Sequence, residues 1–176
     1  MILNGSETII GEWLASRRPQ DLVVATKVSQ HPQFRGLSAA NVRRAAEASL
    51  DEALQWSRDR IAFGQPIGTF QGVAFPLAEC ATYLKGARHI CLEALWRKDS
   101  GLDHSAEAAM AKFWAPKLAT EVIHQCLLTV GHVAYSSDSP IGQRLRDVIG
   151  LEIGDGTAQV SKLVISRHLL GRDFAP

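Results

Sequence analysis

Near its C-terminus the chain reads Ile153-Gly154-Asp155-Gly156-Thr157-Ala158-Gln159-Val160, directly ahead of an apolar run from Ser161 to Gly171. Two glycines around a carboxylate permit a tight turn and the close approach of another group. Thr157 is placed to cap the following helix through its hydroxyl. A helix start carries partial positive charge and free N–H groups, so this corner can hold an anion. A carboxylate held in such a turn can serve as a base in a cleft. The competing reading is a plain helix cap with a solvated aspartate.

Other reactive groups are sparse. Glu121-x-x-His124 has the spacing of a carboxylate–histidine ligand pair in a helical bundle. A two-metal site needs a second such pair, which the sequence lacks, so no metal is expected. Asp103 and His104 are expected in a solvated turn. Trp13, Trp56, Trp96 and Trp114 read as core or interface anchors. No Ser-His-Asp or P-loop signature is visible. Cys80, Cys91 and Cys126 are an odd number with no C-x-x-C pair, which predicts reduced, mostly buried thiols in a cytoplasmic protein.

The elements that must carry these groups follow from periodicity. The chain has 176 residues, 46% apolar and 21% charged, enough to bury a core. A net charge of +1 supplies no basic field for nucleic acid. No apolar run reaches the length of a membrane span, and the start lacks the order of a signal peptide. A helix is expected from Ser6 to Pro19 and a buried strand over Asp21 to Val28. Ser38 can cap a long helix to about Arg60, with Val42, Ala45, Ala46, Ser49, Leu50, Ala53, Leu54 and Trp56 on its packing side. Phe63-Gly64-Gln65-Pro66-Ile67-Gly68 breaks it. The next helix runs from Thr69 or Phe70 to about Ser100, its core side including Val73, Leu77, Ala81, Leu84, Ala87, Ala94 and Leu95. Ser105 is expected to cap a third helix to about Val130, with Pro116 kinking or splitting it. A loop over His132 to Gly142 and a short helix over about Ile141 to Leu151 lead to the last helix. The expected fold is mainly α: an antiparallel four-helix bundle over 38–176, with a small helix-strand appendage over 1–37.

Two resemblances bear on this plan. Ser6-Glu7-Thr8-Ile9-Ile10-Gly11, Leu22 to Val28, Gly36-Leu37-Ser38 and Val42 to Leu50 resemble a piece of an aldo-keto reductase. Lys27 stands where that family keeps a catalytic lysine. The family's Tyr, His and Asp partners and most of its barrel strands have no matching positions here, and such a barrel needs about 250 residues. A solvent-facing lysine at a strand end is the simpler reading.

From about Leu50 onward the chain resembles the C-terminal helical domain of an acyl-CoA dehydrogenase. The matching motifs are collinear: Leu50-Asp51-Glu52-Ala53-Leu54, Arg60-x-x-Phe63-Gly64-Gln65-Pro66-Ile67, Phe70-Gln71, Leu77-Ala78-Glu79, Ala87-Arg88, Ala109-Met110-Ala111-Lys112, Pro140, Arg146-Asp147, Gly156-Thr157-Ala158-Gln159-Val160 and Leu163 to Arg167. The resemblance implies flavin chemistry: a carboxylate takes the α-proton of an acyl-CoA thioester while the β-hydrogen leaves as hydride to FAD. Asp155 matches the base that many members keep before the Gly-Thr pair, where glutamate is usual. Arg60 matches an arginine that meets the FAD pyrophosphate across a subunit interface, as a guanidinium can. Phe63 and Gln71 match neighbouring flavin contacts, and Thr157 and Gln159 match cofactor-holding positions on the final helix. Leu128 stands where the family has Gln, and His132 where it has Gly.

Three functions compete. The first is an FAD-dependent acyl-CoA dehydrogenase-like oxidoreductase, truncated or a chimera of two genes, acting on an acyl-CoA-type substrate. The second is a non-catalytic helical module that has lost the flavin chemistry. The third is a partial NADPH-dependent aldo-keto reductase. A homo-oligomer, dimer or tetramer, is expected for the bundle, with no nucleic-acid or membrane partner.

Overall fold

The computed structural model describes residues 39–154 and 156–176. The helix and strand expected over Ser6–Pro19 and Asp21–Val28, with Trp13 and Lys27, lie outside the described residues, as does Asp155.

The described chain is mainly helical: α1 (Ala39–Asp59), a hairpin of β1 (Ile61–Ala62) and β2 (Gln65–Pro66), a 3-10 turn (Ile67–Thr69), α2 (Gln71–Asp99), α3 (Ser105–Val130), α4 (His132–Tyr135), α5 (Pro140–Ile153) and α6 (Ala158–Leu170). Helix α3 is the central element. It packs against α1, α2, α5 and α6, while α1 also meets α2 and α5. This position explains its composition: Ala115, Pro116, Leu118, Ala119, Val122, Ile123 and Cys126 are all buried, a band too wide for a one-sided helix.

Small residues set the packing of α1. Ala46, Ser49, Ala53 and Ser57 are buried at helical spacing. The two hydroxyls donate back to carbonyls in their own helix, Ser49 Oγ to Ala45 O at 2.8 Å and Ser57 Oγ to Ala53 O at 2.7 Å. Ser57 is thereby satisfied within its own helix, while Ser49 Oγ also accepts from Arg144 Nη1 of α5 at 3.5 Å. The 3-10 turn approaches so closely that a Cβ on Gly68 would stand 3.1 Å from the Ser57 carbonyl oxygen.

Several expectations need correction. Pro116 does not split α3, which runs unbroken through it. Ser105 does not cap α3 with its own hydroxyl. Asp103 Oδ1 accepts from both the Ser105 N–H (3.0 Å) and the Ser105 hydroxyl (2.8 Å). Those two bonds hold the exposed Asp103 carboxyl below its ordinary range. The segment after Gly131 contains the single turn α4, where only a loop was expected. On α2, Ala81 and Leu95 face solvent and Cys80 takes the core position.

Candidate functional site

The Arg60–Gln71 group is built by the end of α1. The Arg60 N–H donates to Trp56 O at 2.8 Å, the last turn of that helix, and Arg60 O accepts from Ile67 N at 2.9 Å. The chain therefore reverses between these residues, with Ala62 paired to Gln65 and Ile61 to Pro66. Phe63 and Gly64 are left as the two central residues of the turn, with φ of 53° and 82°. Positive φ at both positions is what a type I′ hairpin requires. Glycine takes it freely, but a phenylalanine there is strained.

That strained residue is also the most exposed large apolar side chain described, at 96%. Its one aromatic neighbour is Phe70, edge-on at 6.1 Å between ring centroids. Arg60 and Gln71 are exposed on the same corner, and neither side chain has a hydrogen-bond or ion-pair partner among the described residues. The hairpin thus carries an exposed guanidinium and an exposed aromatic ring.

The Thr157–Gln159 group is positioned from α5. Long-range side-chain bonds fix that helix. Lys112 Nζ on α3 donates to Leu151 O at 2.6 Å, and Thr120 Oγ1 donates to Glu152 Oε1 at 2.6 Å. Arg144 Nη1 reaches Glu52 Oε1 on α1 at 2.6 Å. A lysine on the last carbonyls of a helix suits the negative end of its dipole. After this anchored end the chain turns through Gly154 and Gly156, the latter at φ 106°. Helix α6 then starts, held to α3 by buried Ser161 and by Lys162 Nζ, 4.7 Å from the centre of the Phe113 ring.

The Thr157 hydroxyl does not cap α6, contrary to expectation; no side-chain cap bond forms there. The first N–H groups of α6 therefore receive no bond from the Thr157 hydroxyl. Gln159 is exposed beside it. Gly154 and Thr157 are half-buried and Gly156 is exposed, so this corner is neither sealed in packing nor enclosed by the chain.

A single chain does not bring the two groups together. The end of α1 lies at the C-terminal end of α3, where Trp56, Asp59, Val130, Val133 and Ile141 line a groove of about 300 Å³. Helix α5 runs back from there, so α6 begins opposite Lys112 to Thr120, half-way along α3. The 14-residue α5 separates the groups by about 20 Å at 1.5 Å per residue. The donors suit a flavin dinucleotide chemically: a guanidinium for phosphate, an open ring for stacking, a hydroxyl and a helix start for polar edges.

Sequence reasoning missed the anchoring residues. Lys112 was visible only inside the Ala109-Met110-Ala111-Lys112 motif; its partner is 39 residues away and carries no side-chain signature. Glu121 and His124 are both exposed, on a groove between α2 and α3. Among the described residues no group of three or more His, Cys, Asp or Glu side chains could hold a metal ion. No described helix is long and apolar enough to cross a membrane.

Comparison with known proteins gives this geometry its context. The family described as "Acyl-CoA dehydrogenase, C-terminal domain" matches residues 28–170. The chain is 39% identical over 125 residues to a probable acyl-CoA dehydrogenase, YngJ, of Bacillus subtilis, covering 71% of this chain and 33% of that protein. It is 38% identical over 125 residues to the mitochondrial short-chain specific acyl-CoA dehydrogenase of Rattus norvegicus, covering 71% and 30%. Among solved structures, butyryl-CoA dehydrogenase from Megasphaera elsdenii superposes with a TM-score of 0.72 at 32% identity, over 75% of this chain and 34% of that one. An FAD complex of PigA gives 0.73 at 25% identity, over 82% and 37%. Nothing in these comparisons supports the aldo-keto reductase resemblance at the N-terminus. The chain spans about a third of the length of the relatives it matches, and by the extent of the match it belongs to the acyl-CoA dehydrogenase family, as a counterpart of its C-terminal helical domain.

Proposed function

We propose that this chain supplies the helical part of an FAD-dependent acyl-CoA dehydrogenase-type oxidoreductase, assembled as a homo-oligomer in which two copies share each flavin site. The observation that carries the reading is the hairpin corner. A strained Phe63, 96% exposed, on the same hairpin as an Arg60 with no partner among the described residues is costly for a free surface and natural for a surface that meets a ligand. Bound FAD would supply the hydride acceptor. Arg60 would neutralise the pyrophosphate, Phe63 and Gln71 would contact the adjoining cofactor face, and Thr157 with Gln159 would hold its polar edge at the start of α6.

Asp155 is the proposed base. In sequence it stands between Gly154 and Gly156, just after Leu151 and Glu152, which Lys112 and Thr120 hold from α3. A general base must lie within hydrogen-bond reach of its proton, and aspartate is one methylene shorter than the glutamate usual in the family. The substrate must therefore sit about 1 Å deeper, or the turn closer, for equal transfer. The proposed substrate class is an acyl-CoA thioester. The three free thiols support a reducing compartment such as the cytoplasm.

The test is flavin reduction. Protein incubated with FAD and an acyl-CoA should bleach the flavin anaerobically, and Asp155→Asn should abolish bleaching while leaving flavin binding and oligomer size unchanged. Bleaching that survives this substitution removes Asp155 from the chemistry.

A second reading has its own support. Leu95, Trp96, Leu169 and Leu170 are each more than half exposed on the described surface. Such apolar area favours association whether or not flavin binds. A colourless protein that forms a discrete oligomer and ignores FAD would make the chain a non-catalytic assembly module.

A further inference from the structure

Two buried thiols take no part in the site above. Cys80 on α2 and Cys126 on α3 are 3% and 0% exposed, both free, and both members of the main core cluster. The antiparallel register of α2 on α3 makes them face each other. A Cβ on Gly86 would meet the Trp114 ring at 3.5 Å, and Arg97 pairs with Glu107 at 3.3 Å. Moving from those pairings toward the start of α2 and the end of α3 sets Cys80 against the turns that hold Val122, Ile123 and Cys126. The neighbouring Cys126 thiol holds the Cys80 thiol below its ordinary range, and Cys80 together with burial raises Cys126.

One thiol can be reached. A groove of about 240 Å³ between α2 and α3 has Cys80 in its lining, with Pro76, Glu79, Tyr83, Glu121 and His124 around it. Cys91 offers no such pair. It lies about three turns further along α2, packed on the separate cluster of Ala87, Ala115 and Leu118, and burial raises its thiol.

We propose that Cys80 and Cys126 are a peroxide-sensitive thiol pair whose oxidation staples α2 to α3 through a reversible disulfide. The groove admits a small oxidant such as hydrogen peroxide. The Cys80 thiolate attacks one peroxide oxygen, the O–O bond breaks, and the departing hydroxide takes a proton to become water. Cys80 is left as a sulfenic acid. The Cys126 sulfur attacks that sulfur, its proton leaves with the hydroxyl, and a second water departs as the S–S bond forms. Two thiols are oxidised by two electrons and one peroxide is reduced to two waters. A dithiol reductant reverses the change by exchange. The staple ties the two longest described helices together at the centre of the core, and the loop it closes constrains the unfolded chain.

The experiment uses the whole chain, treated with hydrogen peroxide, quenched, and digested without reduction. The expected result is a Cys80–Cys126 linked peptide, an intact mass lower by two hydrogen atoms, and a Tm raised by roughly 5–15 °C that dithiothreitol restores. In Cys126→Ala, Cys80 should instead be trapped by dimedone as a sulfenic acid, and Cys91→Ser should staple like the parent. The unmodified chain keeps the test independent of whether a variant folds. Both thiols remaining titratable after Cys91 has oxidised would overturn the proposal. So would links confined to different chains, or oxidation of Cys80 beyond the sulfenic state without a link.

Discussion

Replacing Phe63 by Asn separates the fold's interest from the ligand's. Phe63 holds a φ of 53° ahead of Gly64 at 82°. A left-handed residue with a bulky side chain costs about 1–2 kcal/mol, whereas Asn adopts that region readily and Asn-Gly is the favoured type I′ pair. Against this stands the edge contact with Phe70 at 6.1 Å. Aromatic pairs contribute about 0.5–1.5 kcal/mol at best, and a ring 96% exposed recovers only the low end of that. The balance predicts that Phe63→Asn stabilises the chain by about 0.5–1 kcal/mol, a Tm rise of roughly 1–4 °C for a chain of this size. Flavin affinity should move the other way, since the exposed ring is lost. The assays are thermal unfolding by circular dichroism and FAD titration by flavin fluorescence. A variant that is less stable than the parent, or that binds FAD equally well, would refute the reasoning that the ring is kept for a ligand at the fold's expense.

Other consequences follow from the anchors and the core. Lys112→Met removes the bond to Leu151 O; it should cost about 1–2 kcal/mol in urea unfolding and speed amide exchange at the end of α5 more than in α1. Ile123→Ala, at a fully buried position on the central helix, should cost about 2–5 kcal/mol, whereas Ala81→Ser on exposed α2 surface should stay within about 0.5 kcal/mol. Asp103 has a lowered folded pKa through its two bonds from Ser105. Its contribution to stability is therefore complete above the unfolded carboxyl value and lost as pH falls through the lower folded value. Asp103→Asn should flatten that acid-side limb, measured as Tm between about pH 5 and pH 2.

The punctuation of the chain was the legible part of the fold. Gly101 and Gly131 close α2 and α3 with positive φ, whereas Ser139 and Pro140, read as the end of a loop, are the cap and first residue of α5. These local signals need no tertiary context. The hairpin was not legible, because its strands have two residues each and its turn carries Phe-Gly instead of the expected Asn-Gly. On α2 the apolar residues cover more of the helix than one chain can bury. Leu92, Leu95 and Trp96 are exposed while Cys80 and Leu84 are not, so periodicity could not choose the inward face. The site followed a different rule. Arg60, Phe63, Gln71 and Gln159 are surface residues with no pattern that periodicity could single out, and they were found through the resemblance; Thr157 stood out first as a helix cap. What the structure adds is their exposure and, among the described residues, the lack of partners for Arg60.

The central claim is that copies of this chain together hold a flavin. The direct measurement is size-exclusion chromatography of the chain mixed with FAD, monitored at protein and flavin wavelengths, for the parent and Arg60→Gln. The account predicts flavin absorbance eluting with an oligomer of the parent, and its strong reduction in Arg60→Gln at unchanged oligomer size. Flavin eluting wholly as the free small molecule, from a parent chain whose helices are intact, would contradict it.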